Sequence, residues 1–148
     1  MTRKRILPPT YFLIALVLMA ALHLLIPIRS LVAWPYRALG LLPVALGLWL
    51  SSWASNLFRK ADTTVKPFEP SSRLVTHGPF RFSRHPMYLG MALVPLGLAV
   101  VFGTLTPWLP AVALFIVFDR FAVIEERGME SAFGQAYRAY RRRVRRWL

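Results

Sequence analysis

Residues 87–124 read MYLGMALVPLGLAVVFGTLTPWLPAVALFIVFDRFAVI, an apolar run from Met87 to Phe102, the short break Gly103-Thr104-Leu105-Thr106-Pro107, and a second apolar run from Pro107 to Ile124. Roughly 20 mostly apolar residues, rising 1.5 Å each, cross about 30 Å of hydrocarbon, and each run approaches that length. The break leaves room only for a tight turn, so the stretch predicts a helical hairpin inside a bilayer. Thr106 is the expected N-cap of the second arm and Pro107 its first helical residue. Both open ends of such a hairpin return to one face of the membrane.

Working outward, Leu7 to Ile28 and Leu39 to Leu57 are two further apolar runs, which predicts an all-α, polytopic bundle of four spans in a single domain. Residues 1–58 supply two scaffold spans and residues 67–144 hold the hairpin and its flanks. The composition agrees: 56% hydrophobic and 14% aromatic residues do not describe an ordinary soluble domain of 148 residues. Arg3, Lys4 and Arg5 precede the first run, but it is long and ends in Ile26-Pro27-Ile28-Arg29 without a small-residue cleavage pattern, so it reads as a retained helix and not a signal peptide.

The net charge of +13 is carried by only 17% charged residues, so it is confined to short stretches. Lys and Arg number three before the first span, two between the first and second, six between the second and third, none in the hairpin turn and eight from Arg120 onward. The positive-inside rule then places both termini and the middle loop in the cytoplasm, as an even number of spans requires. A bacterial inner membrane is the expected location. In the second span Pro43, Gly47, Ser51 and Ser55 form a small-residue stripe suited to close helix approach, either within the bundle or at a dimer seam.

Beyond Ile124, Phe133, Tyr137, Tyr140, Val144 and Trp147 fall on one helical face, with Arg138, Arg141, Arg142, Arg145 and Arg146 over much of the rest. This pattern predicts a C-terminal interfacial amphipathic helix on anionic lipid head groups. Interleaved basic and aromatic residues also suit nucleic acid. Attachment to four spans argues for lipid, and no nucleic-acid partner is expected.

Polar residues concentrate at the cytoplasmic ends of the hairpin. Gly78-Pro79 signals a turn, and His85-Pro86 places proline at a helix start, where unpaired N–H groups beside Arg81 and Arg84 can hold a carboxylate or phosphate. Glu125-Glu126 stands at the end of the fourth span in a chain with only six acids. Adjacent helical residues diverge by about 100°, so one carboxylate is expected to face the hairpin and the other water or an arginine. Simple interfacial anchoring by the arginines, and neutralisation of the basic tail by the glutamates, are the plainer readings. The short turn counts against them, because it returns Arg84-His85 and Glu125-Glu126 to one level.

The ordered set Leu74-Val75-Thr76-x-Gly78-Pro79-Phe80-Arg81-x-x-Arg84-His85-Pro86-Met87-Tyr88-x-Gly90, Glu125-Glu126 and Phe133-Gly134-x-x-Tyr137-x-x-Tyr140 resembles the isoprenylcysteine carboxyl methyltransferase and phospholipid methyltransferase superfamily of integral membrane enzymes. The resemblance covers roughly Pro67 to Val144. It implies S-adenosylmethionine held by the last hairpin and its loops, with a lipid-like or hydrophobic acceptor arriving sideways from the bilayer. It further implies cofactor contacts at Arg73, Leu74, Val75, Phe80, His85, Pro86, Met87, Tyr88 and Glu125, a catalytic role for Arg84 and Glu126, and an acceptor contact at Arg120. The chemistry is compatible: a helix N-terminus suits the cofactor's carboxylate, Glu125 its ammonium and ribose hydroxyls, and aromatic walls its adenine. Phe80 stands where the superfamily usually has tyrosine. Phe121 stands where isoprenylcysteine enzymes carry the arginine that pairs with the acceptor carboxylate.

Several other classes lack support. No Gly-x-Gly motif follows a strand pattern, and His23, His77 and His85 have no spaced partners for a metal. No cysteine is present for a disulfide scaffold or a thiol nucleophile. His23, inside the first span, is expected to pack or to bond between helices. A prenylated thiol or carboxylate, a phospholipid amine and a small hydrophobic thiol all remain open as acceptors. From another class, the competing reading is a non-catalytic membrane protein whose basic tail binds lipid.

Overall fold

A computed structural model describes residues 7–61 and 73–148. Arg3, Lys4, Arg5 and the start of the motif region at Pro67 lie outside the described residues. Four α-helices follow in order: α1 (Pro8–Leu25), α2 (Leu41–Lys60), α3 (Pro86–Phe102) and α4 (Trp108–Arg143). Short 3-10 turns occupy Tyr36–Gly40 and Gly78–Arg81. No strand forms among the described residues, where the extended pairing is an isolated bridge between Ser30 and Thr104. Two helical stretches, Pro8–Leu25 and Tyr36–Lys60, are long and apolar enough to cross a membrane, and α3 is apolar but shorter at 17 residues.

Proline opens α1 and α3, where its missing N–H costs no helical bond. Gly103 ends α3 in the left-handed region at φ 72° and donates its N–H to the Ala99 carbonyl, the geometry a helix stop requires of glycine. Thr106 does not cap α4. The helix begins at Trp108 after Pro107, and the Thr106 hydroxyl instead donates to the Leu22 carbonyl of α1 at 3.3 Å. The hairpin turn is further tied to the α1–α2 connection, since the N–H groups of Leu31 and Val32 both donate to the Gly103 carbonyl. His23 bonds Thr104 at 2.9 Å and stacks on Phe102, so it joins helix to turn as its position suggests.

The small-residue stripe of α2 faces α3, not a second copy of the chain. A Cβ on Gly47 would lie 2.5 Å from the Gly90 carbonyl oxygen, so both glycines are needed for backbone contact. The Ser51 hydroxyl completes the seam by donating to the Met87 carbonyl at 3.1 Å. α1 packs along α4 and also touches α3. Its Leu13, Val17, Leu18, Leu24 and Leu25 remain exposed, as expected of a surface in contact with lipid.

The C-terminal amphipathic segment differs from its expected form. It continues from the fourth apolar run as one 36-residue helix, bent at Gly134 with φ 51° and ψ −119°. Its aromatic face is covered by protein: Tyr137, Tyr140 and Val144 are buried with Ala54, Val75 and Phe80. The hydrophobic stripe is the same one the sequence displays. Val75 and Phe80, from the loop before α3, occupy it in place of a leaflet.

Candidate active site

The N-terminus of α3 and the middle of α4 meet at one cluster of ionisable side chains. His85 is the residue before α3, and its N–H is accepted by the Ser83 hydroxyl at 3.2 Å; no side chain caps the helix. Its imidazole spans the two adjacent glutamates, with Nδ1 3.6 Å from Glu125 and Nε2 3.3 Å from Glu126. Tyr88, one turn into α3, donates its hydroxyl to Glu125 at 2.5 Å. Glu125 thus turns toward α3. Glu126 turns toward arginines, being 3.0 Å from Arg84 and bonded by Arg146 at 2.9 Å and 3.1 Å through its two oxygens.

The two carboxylates titrate in opposite directions. Burial pushes Glu125 up, against partial relief from the Tyr88 hydroxyl and His85. Burial also opposes ionisation of Glu126, but hydrogen bonds from His85 and Arg146 and the Arg84 charge outweigh it and hold the carboxyl near about 2. Arg84 is buried, with 8% of its side chain exposed, and Nη2 is paired with Glu126. Its Nε and Nη1 have no hydrogen-bond partner among the described residues. Two buried guanidinium donors left over beside a helix N-terminus without a side-chain cap are chemistry suited to an anion.

Aromatic side chains wall this cluster. Tyr88 stacks on His85 and on Phe118, at centroid distances of 5.7 Å and 5.2 Å. Tyr11 of α1 lies 5.6 Å from Phe121, so the first helix packs against this wall.

Of the sequence-derived site residues, Arg84, His85, Tyr88, Glu125 and Glu126 converge, with Pro86 buried beside them at the helix start. Leu74, Val75, Phe80 and Met87 gather in the neighbouring cluster around Tyr137 and Tyr140, where the Tyr140 hydroxyl donates to the Phe80 carbonyl at 2.7 Å. Arg73 is exposed at the start of that loop. Arg120 is exposed on α4 and makes none of the contacts of the cluster.

Three residues of the cluster escaped the sequence reading. Asp119 accepts from Arg146 and from the Trp147 indole, both at 3.1 Å, and Arg146 and Trp147 had been assigned to a lipid-facing tail. An acid inside the fourth apolar run was the available signal, because such residues are costly unless paired.

Comparison with known proteins places the chain in a family. Residues 35–136 match the family described as phospholipid methyltransferase. An uncharacterised protein of Haemophilus influenzae (strain Rd) is 38% identical over 63 residues, covering 42% of this chain and all of that protein. Among solved structures, the eukaryotic intramembrane Ras methyltransferase ICMT, an isoprenylcysteine carboxyl methyltransferase, is similar with a TM-score of 0.71 and 25% identity. That likeness covers 95% of this chain and 51% of the other, so the chain spans about half the length of that enzyme. From the matched residues and the shared helical architecture, the chain belongs to the phospholipid methyltransferase family, within the membrane superfamily that also holds the isoprenylcysteine enzymes.

Proposed function

We propose that the chain is a membrane methyltransferase that uses S-adenosylmethionine to methylate a lipid-like or hydrophobic acceptor. The observation that carries this reading is the buried Arg84, with two donors unused among the described residues, paired with Glu126 at the uncapped start of α3 and next to His85, which reaches Glu125. These residues fit the cofactor. Arg84, His85 and the first turn of α3 offer donors to its carboxylate, Glu125 accepts from its ammonium or ribose hydroxyls, and the aromatic and apolar side chains around Tyr88 suit its adenine. When bound, the group supplies an electrophilic methyl on a sulfonium.

The chain's own residues orient and desolvate, which suits an in-line displacement that needs no metal. In this reading Arg84 and Glu126 act as a pair next to the reacting centre, with Glu126 fixing the guanidinium. Arg73, Leu74, Val75, Phe80, Pro86 and Met87 shape the loop and helix start behind the cofactor, and Arg120 meets the acceptor at the membrane edge. The acceptor's reacting end is an amine or a small thiol in preference to a carboxylate. Phe121, set against Tyr11, provides an apolar wall where a carboxylate would need a cation.

The same reading has α1 to α4 crossing the bilayer four times, the fourth span ending at Ile124, with the site and both ends of the chain in the cytoplasm of a bacterial inner membrane. Arg138, Arg141 and Arg142, exposed on the last turns of α4, and Arg145, exposed just beyond it, meet anionic head groups there. The test is calorimetric titration of the detergent-purified protein with S-adenosylhomocysteine. Saturable binding by wild type, lost in Glu125→Ala, is the expected result. A folded wild type that binds none points to a non-catalytic membrane protein, whose lipid attachment should then fall on removal of Arg141 to Arg146.

A further inference from the structure

The residues following α4 do not hang into solvent. They fold back and bind both sides of the candidate site. The Arg84 N–H donates to the Arg145 carbonyl at 3.0 Å, and the Ser83 hydroxyl to the Arg146 carbonyl at 2.9 Å, which fixes the segment to the loop before α3. The Arg146 guanidinium bonds α4 at two levels, through Nε and Nη2 to Glu126 and through Nη1 to Asp119. The Trp147 indole donates to Asp119 and packs against Phe115 at 5.0 Å and His85 at 6.2 Å.

We propose that Arg146 and Trp147 are positioning residues of this active site, joining Asp119 and Glu126 of α4 to Ser83 and Arg84 before α3. The proposal rests on the methyltransferase reading for what the site binds. Glu126 links the two guanidinium groups. Arg84 is held to it by one nitrogen, so the direction of the unused Nε and Nη1 donors depends on where Glu126 sits. Arg146 sets that position by occupying both Glu126 oxygens, and its grip on Asp119 fixes Arg146 in turn.

Glu126 follows Asp119 by seven positions, about 10 Å of helix at 1.5 Å per residue. The segment therefore runs down α4 beside the fourth apolar run, where an acid needs a partner. Among the described residues Asp119 has two, and both come from this segment. This pairing gives Asp119, whose stretch holds one other charged residue, Arg120, a definite task.

The test uses the full chain in detergent with S-adenosylhomocysteine as probe, comparing wild type, Arg146→Ala, Arg146→Lys, Asp119→Asn and Trp147→Phe. Loss of a charged hydrogen-bonding partner is worth roughly tenfold in affinity, so Arg146→Ala is expected to bind about tenfold more weakly and Arg146→Lys to recover most of that loss. Asp119→Asn, which keeps the shape and the Trp147 acceptor, is expected to fall between wild type and Arg146→Ala and serves if Arg146→Ala does not fold. Trp147→Phe is expected to weaken binding less than Arg146→Ala. A folded Arg146→Ala that binds like wild type, or an Arg146→Lys no better than alanine, overturns the proposal. If wild type binds no probe, the methyltransferase reading fails, and the clamp is judged by hydrogen exchange at the Arg84 amide. Protection in wild type that is lost in Arg146→Ala supports the clamp, and equal exchange in both overturns it.

Discussion

Glu125 and Glu126 are neighbours in sequence with opposite electrostatic surroundings, and their difference has a measurable signature. Glu126 has a folded pKa near about 2, below its unfolded value, so its ion pairs add stability above the unfolded pKa of roughly 4.3. That contribution is lost as pH falls from there through about 2. Glu126→Gln is therefore expected to melt below wild type at pH 7, with the gap narrowing as pH falls toward 3 in detergent melting curves. Glu125 is shifted upward by burial, so ionisation costs stability above its unfolded pKa. Glu125→Gln should not lower the melting temperature at pH 7, though it should weaken S-adenosylhomocysteine binding. A Glu125→Gln protein that melts well below wild type would show the carboxylate to be a structural anchor.

At the scale of elements, one bend and one seam organise the site. Gly134 turns the last part of α4 back toward the loop before α3, at a positive φ that an L side chain avoids even though the space around it is open. Gly134→Ala is expected to destabilise by about 1–3 kcal/mol. Gly128→Ala, also in open space but on ordinary helical backbone, should stabilise by about 0.5–1 kcal/mol. Chemical unfolding of the two variants side by side separates backbone strain from the presence of a methyl group. In the seam, Gly90 packs against Gly47 so closely that α3 cannot shift along α2 without losing backbone contact. The His85 end of α3 is thereby held at one height relative to α2.

At the scale of the molecule, α2 lies along α3 and α1 along α4, and α1 brings Tyr11 and Ala15 to the aromatic cluster around Tyr88 and Phe118. The α1–α2 connection and the hairpin turn are bonded together at the end of the bundle opposite the site. The proposed topology puts that end outside the cell and the site inside. Because the chain has no cysteine, single substitutions give clean labels. Ala33→Cys is expected to react with a membrane-impermeant maleimide in intact cells, and Ser131→Cys only after permeabilisation. The reverse pattern would invert the topology.

Local signals in the sequence determined the helical class, the hairpin, the helix start at His85-Pro86 and the level at which Glu125-Glu126 meets it. Apolar run length, proline at a helix start and a short turn act over a few residues, so they survive any arrangement of the rest. The choice of partners was settled only by tertiary packing. The stripe Tyr137, Tyr140 and Val144 is equally suited to lipid or protein, and only the position of Val75 and Phe80 decides for protein. The arginines of the last turns look alike in sequence, yet Arg146 alone reaches Glu126 and Asp119, because the bend at Gly134 and the return after α4 aim it there. Periodicity defines a face; what covers that face depends on contacts between residues far apart in the chain.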